Sequence, residues 1–245
     1  MTSSSGAGAH DGTATHRNFA SRWSPSLVLV GGCWLALLAA AVNTHFLART
    51  GVSVSHLTGD LARLGMQAVT TSGVGSREVA ALSLSLLGFV GGAALAGFVN
   101  GDPMLSLQRP YGRSIVAIGL LVAAAWAVEP ESTAAASFLV AVGCGFQNAL
   151  ASRYRGLVLR TTHVTGILTD VGQLVGMRAR GHAVEPWKVL GQCAIVVAFL
   201  VGAVAGAWLE LEAPSHALLV LGALYTASGL AWYVGKRLGR ATTAA

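Results

Sequence analysis

Apolar residues gather into six long runs, at residues 26–43, 79–99, 114–128, 133–150, 189–209 and 216–234. Each approaches the roughly 20 helical residues that cross a hydrocarbon layer about 30 Å thick. In lipid the backbone must satisfy its own hydrogen bonds, so every run is predicted to be a helix. Two shorter and more polar segments, 53–72 and 161–178, lie between the runs, and Gly101-Asp102-Pro103 and Glu129-Pro130-Glu131 mark breaks. Residues 1–24 are rich in Ser, Gly, Ala and Thr without apolar periodicity and are predicted to be a disordered tail. They do not read as a cleavable signal, because the first apolar run begins only near Ser26 and is followed by further spans.

Composition sharpens this into a membrane protein. Hydrophobic residues make up 53% of the 245, charged residues only 11%, and mean hydropathy is +0.62. A soluble domain carries about 25% charged residues, so this chain cannot build a water-facing surface of ordinary polarity. The net charge of +6 does not point to nucleic acid, because the basic residues sit between apolar runs and form no stripe. They act instead as topology signals. With six spans and a cytoplasmic N-terminus, thirteen of the sixteen Lys and Arg fall on the inside, and only Arg49, Arg63 and Arg77 fall outside. Counting the short segments as crossings reduces the inside total to nine, so six is the predicted number. Trp23, Trp187 and Trp208 lie near span ends, where aromatic rings favour the interface. Cys33, Cys144 and Cys193 are odd in number and lack metal-site spacing, which makes them small apolar packing residues.

An internal repeat organises the spans. HLTGDLARLG at 56–65 aligns with HVTGILTDVG at 163–172, pairing His56 with His163, Thr58 with Thr165 and Gly59 with Gly166. Asn43 and Asn148 each close the apolar run before these motifs, and residues 86–98 resemble residues 196–208. Each half therefore reads as one span, a short H-x-T-G segment, then two spans. Three spans per half is odd, so the second half is expected to enter the membrane inverted, as in many secondary transporters. The predicted fold is all-α: six long transmembrane helices plus two short polar, re-entrant helices in two inverted repeats. The domain reading is a cytoplasmic tail 1–24, one membrane domain 25–235 with repeats 26–128 and 133–234, and a cytoplasmic tail 236–245.

The Thr58-Gly59 segment, together with Gly145-Phe146-Gln147-Asn148 and Thr161-Thr162-His163-Val164-Thr165-Gly166, resembles the YoaK-like family of bacterial membrane proteins of unknown function. The likeness covers nearly everything after the tail. It implies a six-span protein of the bacterial inner (plasma) membrane with no established activity; the Lys and Arg distribution is what places both termini on the cytoplasmic side. That family's pattern carries Asp near the position of Asn43 and Asn after the first Thr-Gly pair, where this chain has Asp60; carboxylate and amide are exchanged.

Several polar residues are candidates for a site. Gln147 and Asn148 need partners at the end of an apolar run, either a ligand or other helices. The Thr-Gly pairs suit a helix start or a helix break, whose free N–H groups favour an anion. His56 and His163 titrate near neutral pH. On a helix Asp60 and Asp170 would lie within about 40° of their histidines, as a proton relay or a salt bridge, and Asp60 has Arg63 as a rival partner. Gly88-x3-Gly92 and Gly202-x3-Gly206 read as close packing of helices. Hydrolase, zinc-protease, P-loop and dinucleotide motifs are missing from the sequence, so no catalytic residue, metal or cofactor is expected.

The expected function is transport of a small polar or anionic solute. The expected site is Asn43, His56, Thr58, Gly59, Asp60, Gln147, Asn148, Thr162, His163, Thr165, Gly166 and Asp170. Expected partners are the lipid bilayer and the solute, with no nucleic acid; a homo-oligomer is compatible with the pattern. A non-transporting scaffold subunit and a histidine-based metal protein or enzyme are the rivals. A polar cavity between the halves favours transport, and a closed polar network favours the scaffold.

Overall fold

Polar residues at the ends of the apolar runs do not stop the helices. The computed structural model describes residues 25–69, 76–101, 105, 111–150, 153–154, 157–158 and 160–241. Its helices are α1 (Pro25–Thr50), α2 (Leu57–Val69), α3 (Ser76–Asn100), α4 (Tyr111–Val128), α5 (Thr133–Leu150), α6 (Val164–Ala179), α7 (Pro186–Glu212) and α8 (Ala217–Ala241). A two-rung antiparallel pairing of β1 (Arg153–Tyr154) with β2 (Leu157–Val158) interrupts an otherwise helical chain. Among the described residues six helices, all but α2 and α6, are long and apolar enough to cross a membrane. The chain is a multi-pass helical membrane protein.

The first span departs from its expected bounds. It continues to Thr50 rather than ending at Asn43, because His45 and Arg49 find ion-pair partners in Glu129 and Glu210. A loss of hydropathy ends an apolar run, but a helix ends only where its backbone does. Likewise α8 carries Lys236 and Arg237 within the helix, so the expected tail at 236 begins as helix. The expected tail at 1–24 lies outside the described residues.

Helix pairing follows the division into halves. The most extensive contacts join α3 to α5, α1 to α7 and α4 to α8. Thus each half's second span lies along the other half's first, and the two third spans lie along each other. A Cβ at Gly88 or Gly92 would overlap the Phe138 or Val142 carbonyl, so α3 and α5 run parallel. Gly202 and Gly206 meet Leu37 and Ala41 in the same way, and α1 and α7 run parallel too.

The α4–α8 contact is reciprocal and antiparallel. A Cβ on Gly112 would stand 2.7 Å from the Gly229 carbonyl, and one on Gly229 would stand 2.7 Å from that of Gly112. Gly119 and Gly222 face each other likewise, at 2.8 and 3.0 Å. The register that pairs Phe89 with Phe199 also pairs Gly112 with Gly222 and Gly119 with Gly229. Each glycine therefore touches the counterpart of the other.

The core fills the space between α1, α4, α5 and α8 with Leu38, Phe46, Val122, Val140, Leu218 and Tyr225. Val90, Phe98, Val197, Leu200, Val204 and Trp208 point outward, an apolar surface suited to lipid.

Candidate functional site

Gly51 (φ +66) caps α1 and turns the chain back on itself, its N–H bonded to the Leu47 carbonyl at 3.0 Å. Residues 52–56 then descend beside the last two turns of α1. Asn43 Oδ1 holds them there, accepting from Ser53 Oγ (2.7 Å), Val54 N (3.0 Å), Ser55 N (3.1 Å) and Ser55 Oγ (3.0 Å). Asn43 stands seven residues before the helix end, so α2 starts about 10 Å below it at 1.5 Å per residue. Asp60 accepts from Ser53 N at 3.1 Å and pairs with Arg63 at 3.7 Å, while Arg63 also donates to the Gly51 carbonyl.

The second half repeats this construction. Asn148 donates to Thr162 Oγ1 at 2.5 Å and accepts from Thr162 N at 3.3 Å. Thr162 is the counterpart of Ser55 in the repeat. Gln147 donates to Thr161 Oγ1 (2.8 Å) and to the Leu35 carbonyl (3.0 Å), and accepts from Tyr225 Oη (2.7 Å). It ties α5 to α1, to α8 and to the segment that leads into α6.

His56 and His163 therefore stand at the starts of two short helices that meet inside the bundle. His56 bonds Ser55 Oγ through Nδ1 at 2.9 Å, lies edge-on to Phe199 at 5.0 Å, and reaches the Thr162 backbone of the other half. Burial pushes its imidazole below the ordinary range and the charge of His163 acts the same way, against the bond to Thr162. His163 is exposed at the N-cap of α6, and Gly166 leaves room for its ring, since a Cβ there would come within 2.6 Å of Nδ1.

Between the two helix starts lies a cavity of about 690 Å³. Of the expected site residues, His56, Thr58, Gly59, Asn148, Thr162, His163 and Thr165 line it. Asn43, Asp60 and Gln147 stand behind it, buried and engaged in the bonds that place the short segments. Gly166 borders the His163 ring, and Asp170 meets Gln192 Nε2 at 3.3 Å.

The expected same-face pairing of each histidine with its acid is not the arrangement found. Both histidines precede their helices, so the helical angle between them and Asp60 or Asp170 does not apply, and the acids take Ser53, Arg63 and Gln192 instead.

Two polar lining residues, Asn100 and Arg160, were not among the expected site residues, and Phe89 pairs with Phe199 in the repeat without an expected site role. Arg160 reads from sequence as a topology residue, and Asn100 as a polar end to an apolar run. Their places in the wall depend on how α3 and α5 pair. His45, fully buried within the first span, lies beyond the predicted end of that apolar run at residue 43 and was not among the residues singled out from the sequence.

Neither a curated protein nor a solved structure matches the chain. A family described as "Protein of unknown function (DUF1275)" matches residues 31–231, which covers α2 to α7 in full and most of α1 and α8. The chain belongs to the DUF1275 family.

Proposed function

We propose that the protein is a carrier, not an enzyme, for a small polar or anionic solute that binds between the starts of α2 and α6. The observation that carries this reading is the cavity, lined by matching groups from both halves: His56 with His163, and Thr58 with Thr165. Its volume of about 690 Å³ falls within the roughly 300–1,000 Å³ typical of small-molecule sites. The groups are imidazoles, hydroxyls and a carboxamide, and Arg160 adds a cation at the rim. Two helix starts converging on one space favour a polar or negatively charged guest.

Inverted repeats are part of the proposal. Two equivalent helices in antiparallel, reciprocal contact need a two-fold axis perpendicular to their length, which for spanning helices lies in the membrane plane. The α4–α8 contact has that form. Rocking of one half against the other would expose the cavity to each side in turn. The distribution of Lys and Arg supports cytoplasmic termini in a plasma membrane.

The buried bonds of Asn43 and Gln147 favour a scaffold role for those two residues, and they are not counted among the ligand contacts. The metal-binding reading needs a third ligand beside the histidines, and among the described residues no group of three His, Cys, Asp or Glu is placed to hold a metal ion.

Thermal unfolding of the detergent-purified protein against a panel of ions and metabolites tests the carrier reading. A bound compound at about 100 times its dissociation constant stabilises by roughly 2.7 kcal/mol. The expected result is a shift in wild type that disappears in His163→Ala and Thr165→Ala, whose side chains face the cavity. A shift that survives both variants would place binding elsewhere. No shift with any compound would favour the scaffold.

A further inference from the structure

A second polar cluster lies on the opposite face of the bundle from the cavity mouth. The cavity reaches the face where α3 and α5 end, through Asn100, Gly101 and Arg160. The other face is where α1, α4 and α7 end. There, His45 of α1 is fully buried between two carboxylates. Its Nε2 lies 2.8 Å from Glu129 Oε1, at the end of α4, and its Nδ1 lies 2.6 Å from Glu210 Oε2, of α7. Arg49 joins from the next turn of α1, with Nε 2.7 Å from Glu210 Oε1, Nη1 3.3 Å from Glu129 Oε1 and Nη2 donating to the Pro214 carbonyl at 2.9 Å. These are the charged groups facing His45 from each helix packed on it; Glu131, Glu212 and His216 stand on the same face, exposed.

The charge count decides what the cluster holds. Two carboxylates and one guanidinium leave one negative charge. A neutral imidazole donates from one nitrogen only and turns a lone pair at the other. Here both nitrogens stand within hydrogen-bond distance of a carboxylate oxygen, so a neutral ring would set lone pair against lone pair at one of them. One added proton removes both problems: the Nε2 contact is a hydrogen bond, the close Nδ1 contact, which is not aligned for one, becomes an attraction between opposite charges, and the buried charge sums to zero. Exposure rises outward through the cluster, with side chains 1% exposed at His45, 8% at Glu129, 15% at Glu210 and 33% at Arg49. The cluster thus reaches the water on that side.

Among the described residues the other face holds no copy of it. Leu150, Gly239 and Asn100 occupy the positions that match His45, Glu129 and Glu210 in the repeat.

We propose that His45, Arg49, Glu129 and Glu210 form a proton-binding latch that closes this face. With the proton bound, α1, α4 and α7 are held together. When the proton leaves to water on that side, the cluster is left with an uncompensated charge and one repelling contact, and the helix ends part. The use of the latch in a transport cycle rests on the carrier reading; proton binding itself does not.

The test uses the full chain in lipid nanodiscs, ¹⁵N-labelled at histidine, across roughly pH 5 to 8, where imidazole titrates. Ring spectra are recorded beside amide hydrogen exchange of residues 45–51 and 207–213. The signal missing in His45→Gln should be imidazolium at the low end and neutral at the high end. Hydroxide catalysis alone raises exchange about tenfold per pH unit, and loss of one proton on opening adds about another tenfold, so about a hundredfold is expected in wild type. In Glu210→Gln the amide donates to a neutral ring, so the latch stays shut without the proton and only the tenfold slope remains. If His45→Gln does not fold, Glu210→Gln serves for assignment, since it keeps the histidine and removes its titration. A ring neutral throughout, or equal slopes in wild type and Glu210→Gln, overturns the proposal. Neither outcome touches the cavity, and a failed compound panel leaves the latch standing.

Discussion

Asn43 Oδ1 takes four donors, two of them backbone N–H groups that no helix or strand serves. Truncating it leaves buried donors unpaired, at about 1–3 kcal/mol for each group stranded. Asn43→Ala should therefore cost at least about 2 kcal/mol of stability, while Asn43→Asp, which keeps the acceptor oxygen, should cost less. Asn148 carries a lighter load, one backbone N–H and one hydroxyl. Unfolding of the three single variants Asn43→Ala, Asn43→Asp and Asn148→Ala, followed by circular dichroism, checks the order. A loss at Asn148→Ala larger than at Asn43→Ala would mean that the first segment is held by something other than this oxygen.

The glycines of α4 and α8 make a sharper prediction among the elements. Gly119 and Gly222 face each other so closely that a methyl group on Gly119 would meet backbone 2.6 Å away, at Thr226 N. Gly119→Ala should cost about 1–3 kcal/mol through overpacking. Gly91 has open space around its Cβ position, so Gly91→Ala should be neutral or gain up to about 1 kcal/mol of helix propensity. Thermal unfolding of both variants decides, and equal effects would deny the close contact.

The helices themselves were readable from hydropathy, because lipid allows little else. The alignment of His56 and Thr58 with His163 and Thr165, all four in the cavity wall, was readable as well. Two features were not. The true end of α1 depends on Glu129 and Glu210 arriving from distant parts of the chain. The faces of His56 and His163 depend on where α2 and α6 begin, which Asn43 and Asn148 set. The pairing of Gly112 with Gly222 was present in the sequence, but two glycines seven residues apart carry no weight until a contact gives them one.

How often the whole chain crosses the membrane follows from these contacts. With six crossings α4 and α8 run in opposite directions; with eight, α2 and α6 also cross and α4 and α8 run the same way. Their glycines pair in antiparallel order. Length argues likewise: α2, with 13 residues, is about 20 Å long and α6, with 16, about 24 Å, short of a hydrocarbon layer of about 30 Å. Six crossings place the turn at Pro130 and the turn at His182 on opposite sides, whereas eight would place both on one side. Pro130→Cys and His182→Cys, each treated in intact cells with a thiol reagent that cannot enter, should give one labelled and one unlabelled chain, with wild type as the blank. Labelling at residue 130 but not 182 also puts both termini inside, in keeping with the Lys and Arg distribution. Labelling at 182 alone would keep six crossings and reverse the orientation, and the same result at both positions would make α2 and α6 full spans and remove the re-entrant geometry on which the cavity depends.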